Sequence, residues 1–204
     1  TACPLCKGTE KVRAIAESPL CFCSYCNVVF NASHSPALYD SNYFLDEYHD
    51  QYGKTYEDDF SWIYDLGKKR LHDIKHFSGI TNFAGMRLLD IGCALGYFLK
   101  AANDEGVSHV EGLEISDYAA EYCMNSFGFR VHNLPFEEFS ATQSSYDIIT
   151  AWYVIEHSSM PIQLFDKIYQ MLAPGGVLAC SMPSIQGPMF FFHRDEWVKS
   201  HPDD

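Results

Sequence analysis

Residues 88–102, LLDIGCALGYFLKAA, join an apolar run to an amphipathic one through a turn containing two glycines, and an acid closes the run. A strand that ends on a glycine turn and re-enters at once as a helix belongs to sheets wound from strand–helix units. Ligands of such sheets bind beyond the carboxyl ends of the strands. The surrounding pattern agrees. Trp62, Ile63, Leu66, Leu71 and Ile74 recur at helical spacing and predict a leading helix from about residue 59. A strand at 87–91, a helix at 97–105, a strand at 109–113 and a helix capped by Ser116 and running to about Phe127 follow. A short strand at 130–132, a strand at 147–152, a helix at 161–171 stopped by APGG, and a strand at 177–182 complete the alternation. The fold class is therefore α/β, a doubly wound, mostly parallel sheet with helices on both faces. Such a sheet normally has further strands, and FFFHRDEWVKSHPDD does not read as one, so its C-terminal strands are expected to be missing from this sequence.

Charge narrows the partners. Fourteen Lys and Arg face 27 Asp and Glu across 204 residues, a formal net charge of −13. A protein that grips a phosphate backbone usually carries a basic footprint, so nucleic acid is disfavoured and a small molecule is favoured. No apolar run approaches the roughly 20 residues of a membrane span. The opening TACPLCKGTE lacks the apolar core of a signal peptide. A cytoplasmic location is expected.

Four of the eight cysteines form two C-x-x-C pairs, Cys3 with Cys6 and Cys23 with Cys26. Each tight pair turns two thiolates onto one ion, and two pairs complete the tetrahedron of a structural zinc site. No βαβ pattern surrounds either pair, which argues against a thioredoxin-like redox role. Cys21 stands outside the spacing. Residues 1–30 are thus expected to form a small zinc-ribbon-like module whose last strand is CNVVF. Residues 31–58 form a tyrosine-rich connector, in which Tyr43, Tyr48, Tyr52 and Tyr56 either make a lid or pack against the domain. Residues 59–204 form the main domain.

At the glycine turn, a dinucleotide fingerprint would need glycines at 92, 94 and 97, but Ala94 and Tyr97 occupy two of these places. Asp90 opposes an anion and welcomes a cation. S-adenosylmethionine, with positive sulfonium and amino groups and a carboxylate for helix N-terminal amides, fits better. Glu114 is placed to accept from ribose hydroxyls, although that spacing alone does not separate the two cofactors.

LLDIGCALGYF, VEGLEIS, YDIITAWYVIEH and LAPGGVL resemble, in order, the motifs of class I S-adenosylmethionine-dependent methyltransferases. The resemblance covers about residues 59–185 and implies a Rossmann-like methyltransferase fold. The cysteine module with YDSNYF and YGKTYEDD is similar to a subgroup carrying an N-terminal zinc-binding segment, some of whose members methylate sugar nucleotides or other metabolites. The resemblance implies a methionine-binding turn of Asp90, Gly92, Cys93, Ala94 and Gly96. It implies that Glu114 and Ile115 hold ribose and flank adenine, that Asn133 and Leu134 meet the adenine ring, and that Trp152 and Tyr153 border the methyl-transfer space.

Methyl transfer from a sulfonium requires nucleophile and methyl to be held close and collinear, and a base only where the acceptor must lose a proton. His157 is the candidate base, with a structural role as its alternative, and Tyr153 is the second catalytic candidate. PMFFFHRDEW either lines an acceptor pocket or buries against strands outside the sequence. The leading reading is a methyltransferase with a small-molecule acceptor. The alternatives are an RNA or protein methyltransferase whose zinc module recognises the substrate, and a non-enzymatic zinc-stapled binding module.

Overall fold

The computed structural model describes residues 1–15, 19–32, 41–185, 187–193 and 195–197. The chain divides into two units, residues 1–37, 153–166 and 181–204 in one and residues 38–152 and 167–180 in the other.

The larger unit is built on a five-stranded sheet. Its strands are β4 (Arg87–Ile91), β5 (His109–Leu113), β6 (Arg130–His132), β7 (Tyr146–Trp152) and β8 (Leu172–Ser181), in the order β6-β5-β4-β7-β8. The pairs β4–β5, β4–β7 and β5–β6 are parallel. β4 is central, and its Leu88, Leu89 and Ile91 are buried. Burial on both sides of the pleat is the mark of a strand covered on both faces.

The connecting helices are α2 (Phe60–Ser78), α3 (Tyr97–Asp104), α4 (Asp117–Phe127) and α5 (Pro161–Met171). Ser116 caps α4 by accepting from the Ala119 amide, and Gly128, at φ +72°, ends it. α2 meets α3 where Gly67 stands: a Cβ there would lie 3.0 Å from Ala101 Cβ. Leu71 and Ile74 of α2 join Leu88, Phe98, Leu99 and Ile148 in the main core. Trp62, expected on the buried stripe of this helix, is 61% exposed. The sequence also predicts a strand starting at 177 after an APGG stop, whereas extended structure starts at Leu172. Gly175 turns the chain at φ +80°, and Gly176 runs so close that a Cβ would stand 3.1 Å from the Asp147 carbonyl. Two glycines therefore let the chain pair at once where a stop is expected.

Within this unit residues 41–58 of the tyrosine-rich connector form an aromatic layer. A wide helical turn at Tyr43–Glu47 leads into α1 (Tyr48–Tyr52), which Gly53 ends at φ +72°. Tyr43, Tyr56 and buried Phe44 pack in one cluster with Ala94, Leu95 and Tyr97 of the glycine turn and the start of α3. Lys54 and Tyr48 both bind the buried Asp59 carboxylate, at 2.5 and 2.7 Å.

The smaller unit carries a three-stranded antiparallel sheet, β1 (Val12–Ala14), β2 (Leu20–Cys23) and β3 (Val28–Asn31). It also contains α6 (Pro188–Phe192). Phe190 and Trp197 are buried with Leu20, beside Ile15, Val29 and Ile185. Phe190 and Trp197 of the aromatic C-terminal segment, expected over an acceptor pocket or against absent strands, thus pack on the cysteine module. Phe191 and Phe192 point to solvent.

Candidate functional site

Three left-handed residues shape the turn between β4 and α3: Gly92 at φ +70°, Ala94 at +47° and Gly96 at +84°. The amides of Gly92 and Cys93 both donate to the Leu113 carbonyl, at 2.8 and 3.1 Å, tying the turn to the end of β5. Close packing dictates Gly96 of the turn and Gly112 of the neighbouring strand. A Cβ on Gly96 would stand 2.2 Å from Cys123 Sγ, and one on Gly112 of β5 would stand 2.4 Å from Cys93 Sγ. α3 therefore starts hard against α4, and the amides of its first turn have no partner within the helix.

Glu114, directly after β5, is 4% exposed. Its Oε2 accepts from the Ala94 amide at 2.8 Å and its Oε1 from the Ser116 amide at 2.9 Å. Burial raises its pKa, and these backbone donors oppose the rise. A carboxylate offers about four lone-pair positions; two are engaged here, so acceptor capacity remains for a diol. Asn133 donates its amide to the carbonyls of Glu114 and Ile115 at 3.0 and 3.3 Å, fixing this corner. Leu134 follows, its amide on the His132 carbonyl. Ile115 is 52% exposed and presents an apolar face beside the acid.

Asp90, next to last in β4, is 1% exposed and accepts from the Thr150 hydroxyl at 2.6 Å, across the pairing of the two residues in β4 and β7. Burial pushes its carboxyl up to about 8, while the Thr150 hydroxyl and the Arg70 charge hold it back. Arg70 of α2 lies over the Trp152 ring at 4.2 Å, and Trp152 meets Phe98 edge-on. The buried Trp152 Nε1 has no hydrogen-bond partner among the described residues.

The larger unit thus brings together Asp90, Gly92, Cys93, Ala94, Gly96, Glu114, Ile115, Asn133, Leu134 and Trp152 along the carboxyl ends of β4 to β7. Sequence reasoning missed Arg70 and Thr150. In GKKR the arginine is indistinguishable from solvent-facing cations, whereas Thr150, the lone hydroxyl within the apolar stretch IITAW, carries a readable signal. Tyr153 and His157 lie in the smaller unit. Tyr153 is 55% exposed at φ +59°, and its amide donates to the Ser181 carbonyl. His157 ends a single turn at Ile155–His157.

Two chemical groups have donor sets here. An acid with spare acceptors, a cation, an orphaned indole donor and open helix amides fit an amino-acid-bearing nucleoside such as S-adenosylmethionine. In the cysteine module, the sulfurs of Cys3, Cys6, Cys23 and Cys26 lie within 4.8 Å of one another, and Cys6 and Cys23 are 3.8 Å apart. A tetrahedron of metal–sulfur bonds of ~2.3 Å sets its sulfurs ~3.8 Å apart. Lys7 and Asn27, each following the second cysteine of a pair, are left-handed and close the two turns. The backbone amide of Cys26, foremost, lowers the Cys23 thiol to about 7. Cys21 is buried in β2 outside the cluster.

Residues 64–202 match the family described as a methyltransferase domain. The ubiquinone biosynthesis O-methyltransferase of Psychrobacter arcticus is 30% identical over 105 residues, 48% of this chain and 41% of that protein. A tRNA U34 carboxymethyltransferase of Methylococcus capsulatus is 26% identical over 135 residues, 63% of this chain and 40% of that protein. The chain spans about two fifths of the length of these curated relatives. Phosphoethanolamine N-methyltransferase 2 of Haemonchus contortus, solved with S-adenosyl-L-methionine, shares the fold at a TM-score of 0.54 and 23% identity, over 66% of this chain and 32% of that one. With two thirds of its length matched by the methyltransferase domain, the chain belongs to the class I S-adenosylmethionine-dependent methyltransferase family.

Proposed function

We propose that the chain binds S-adenosylmethionine at the β4–α3 turn and transfers its methyl group to a small-molecule acceptor. The observation that carries this reading is Glu114, a buried acid clamped by two backbone amides with acceptor capacity to spare. In the proposal Glu114 takes the ribose hydroxyls, and Ile115, Asn133 and Leu134 frame the adenine. Asp90 faces the amino group. Arg70, with the amides at the start of α3, holds the carboxylate. When bound, the cofactor supplies an electrophilic methyl on a leaving group that is already good. The chain's task is then to hold the acceptor in line and exclude water. Tyr153 and His157 are the catalytic candidates. A non-glycine residue at positive φ is strained, and such strain clusters at functional sites, which favours Tyr153. His157 would act as base where the acceptor must lose a proton.

The same proposal gives Cys3, Cys6, Cys23 and Cys26 one structural zinc ion. Four thiolates leave no open position for substrate, so the ion would fold the module and take no part in the transfer. The similarity to a tRNA-modifying enzyme raises RNA as a second acceptor. The charge opposes it: the cysteine module contributes only Lys7, Lys11 and Arg13 toward a phosphate backbone. A screen of metabolites for incorporation of labelled methyl tests the acceptor class. RNA binding with a steep salt dependence would reverse the ranking.

A further inference from the structure

We infer that the cysteine cluster controls the docking of the chain's own aromatic segment, residues 185–197, on the opposite face of the small sheet. The inference rests on the zinc reading above and extends it from a ligand set to a coupled pair of faces. β2 carries both. Successive strand residues point to opposite faces, so Cys21 and Cys23 share one side and Leu20 and Phe22 the other. Val29 pairs with Phe22 across the sheet and so lies on the Leu20 side. On that side Leu20, Val29 and Ile15 cover Ile185, Phe190 and Trp197, with the Phe190 and Trp197 rings edge-on at 5.2 Å.

The strands are three and four residues long. A sheet so small does not stand without a staple. With the four sulfurs bound to an ion, the strands persist and offer an apolar face. With the ion gone, Leu20 and Val29 no longer share a surface, and Phe190 and Trp197 lose their cover. Coupling between two binding events is reciprocal, so the docked segment must also strengthen retention of the metal.

The test uses the full chain. Zinc loss to a colorimetric chelator is timed in the unaltered protein, in Trp197→Ala and in Leu20→Ala, and amide exchange is followed across residues 185–197. Both variants are expected to keep one zinc per chain before chelation but to lose it at least about fivefold faster. Chelation of the unaltered protein is expected to raise exchange in that segment, and added zinc to restore it. Unchanged zinc loss in both variants, or a stripped protein with the segment still protected, would overturn the inference. A chain that neither holds nor takes up zinc would overturn the zinc reading itself, an outcome the metal content separates from a failure of coupling.

Discussion

The Ala94 amide donates to the Glu114 carboxylate at 2.8 Å, and this one bond joins the cofactor turn to the acid of the next strand. Ala94 holds φ +47° to make it, a conformation that costs a side-chain-bearing residue about 1–2 kcal/mol. Glu114→Ala removes the latch and, in the proposal, the ribose acceptor, and is expected to weaken S-adenosylmethionine binding by about 100-fold or more. Ala94→Gly suits the same φ and keeps the amide that Glu114 accepts, so it is expected to bind within about threefold of the unaltered protein. Calorimetry on the two variants side by side checks both.

Gly96 tests the packing beneath the turn. Its Cβ would meet Cys123 Sγ at 2.2 Å, and its φ of +84° is strained for any side chain. Gly96→Ala is expected to destabilise the fold by roughly 2–4 kcal/mol, the sum of overpacking and backbone strain. Adding Cys123→Ala removes the sulfur and should restore part of that loss, because the φ strain remains. Denaturant midpoints of the single and double variants measure the coupling.

Asp90 gives a pH signature. Its folded carboxyl is pushed up to about 8 by burial, above the ordinary value of 3.8. A folded pKa above the unfolded one favours the protonated fold, so the contribution is fully present below about pH 4 and is lost as pH rises through about 8. Asp90→Asn has no charge to bury and still accepts from Thr150. Its melting temperature relative to the unaltered protein is expected to climb from pH 4 to 8 and level off above. Cofactor binding should weaken in the same variant. A stability difference that stays flat with pH would contradict the assignment.

Much of this was readable in the chain. The β4 run LLDI, the Ser116 cap and the helix running to about Phe127 are local signals, and the elements follow them closely. The placement of Asp90, Gly96 and Glu114 was legible for the same reason: they sit at strand and helix ends, where position follows from topology. Arg70 was not, because a cation on an amphipathic helix declares its partner only once α2 lies against Trp152. Trp62 misled because an apolar side chain at helical spacing needs a neighbouring surface to be buried. The docking of Phe190 and Trp197 on Leu20 joins residues about 170 positions apart, which no periodicity encodes.

Cys21 and Cys23 separate the proposed ligand set from its neighbour. Cys23 belongs to the four-sulfur cluster, whereas Cys21 lies two residues earlier in β2 and outside it. Cys23→Ser is expected to release zinc and loosen residues 1–30, because metal binding supplies folding free energy to so short a segment. Cys21→Ser should do neither. Metal analysis and amide exchange on the two variants decide, and zinc retained in Cys23→Ser would overturn the ligand set.

The central claim is that the β4–α3 turn with Glu114 is a cofactor site. Isothermal calorimetry of the folded, zinc-replete protein with S-adenosylmethionine, and with its demethylated product, tests it most directly. The expected result is saturable binding of one molecule per chain, weakened by about 100-fold or more in Glu114→Ala while that variant keeps its fold. No binding of either compound to the folded protein would contradict it.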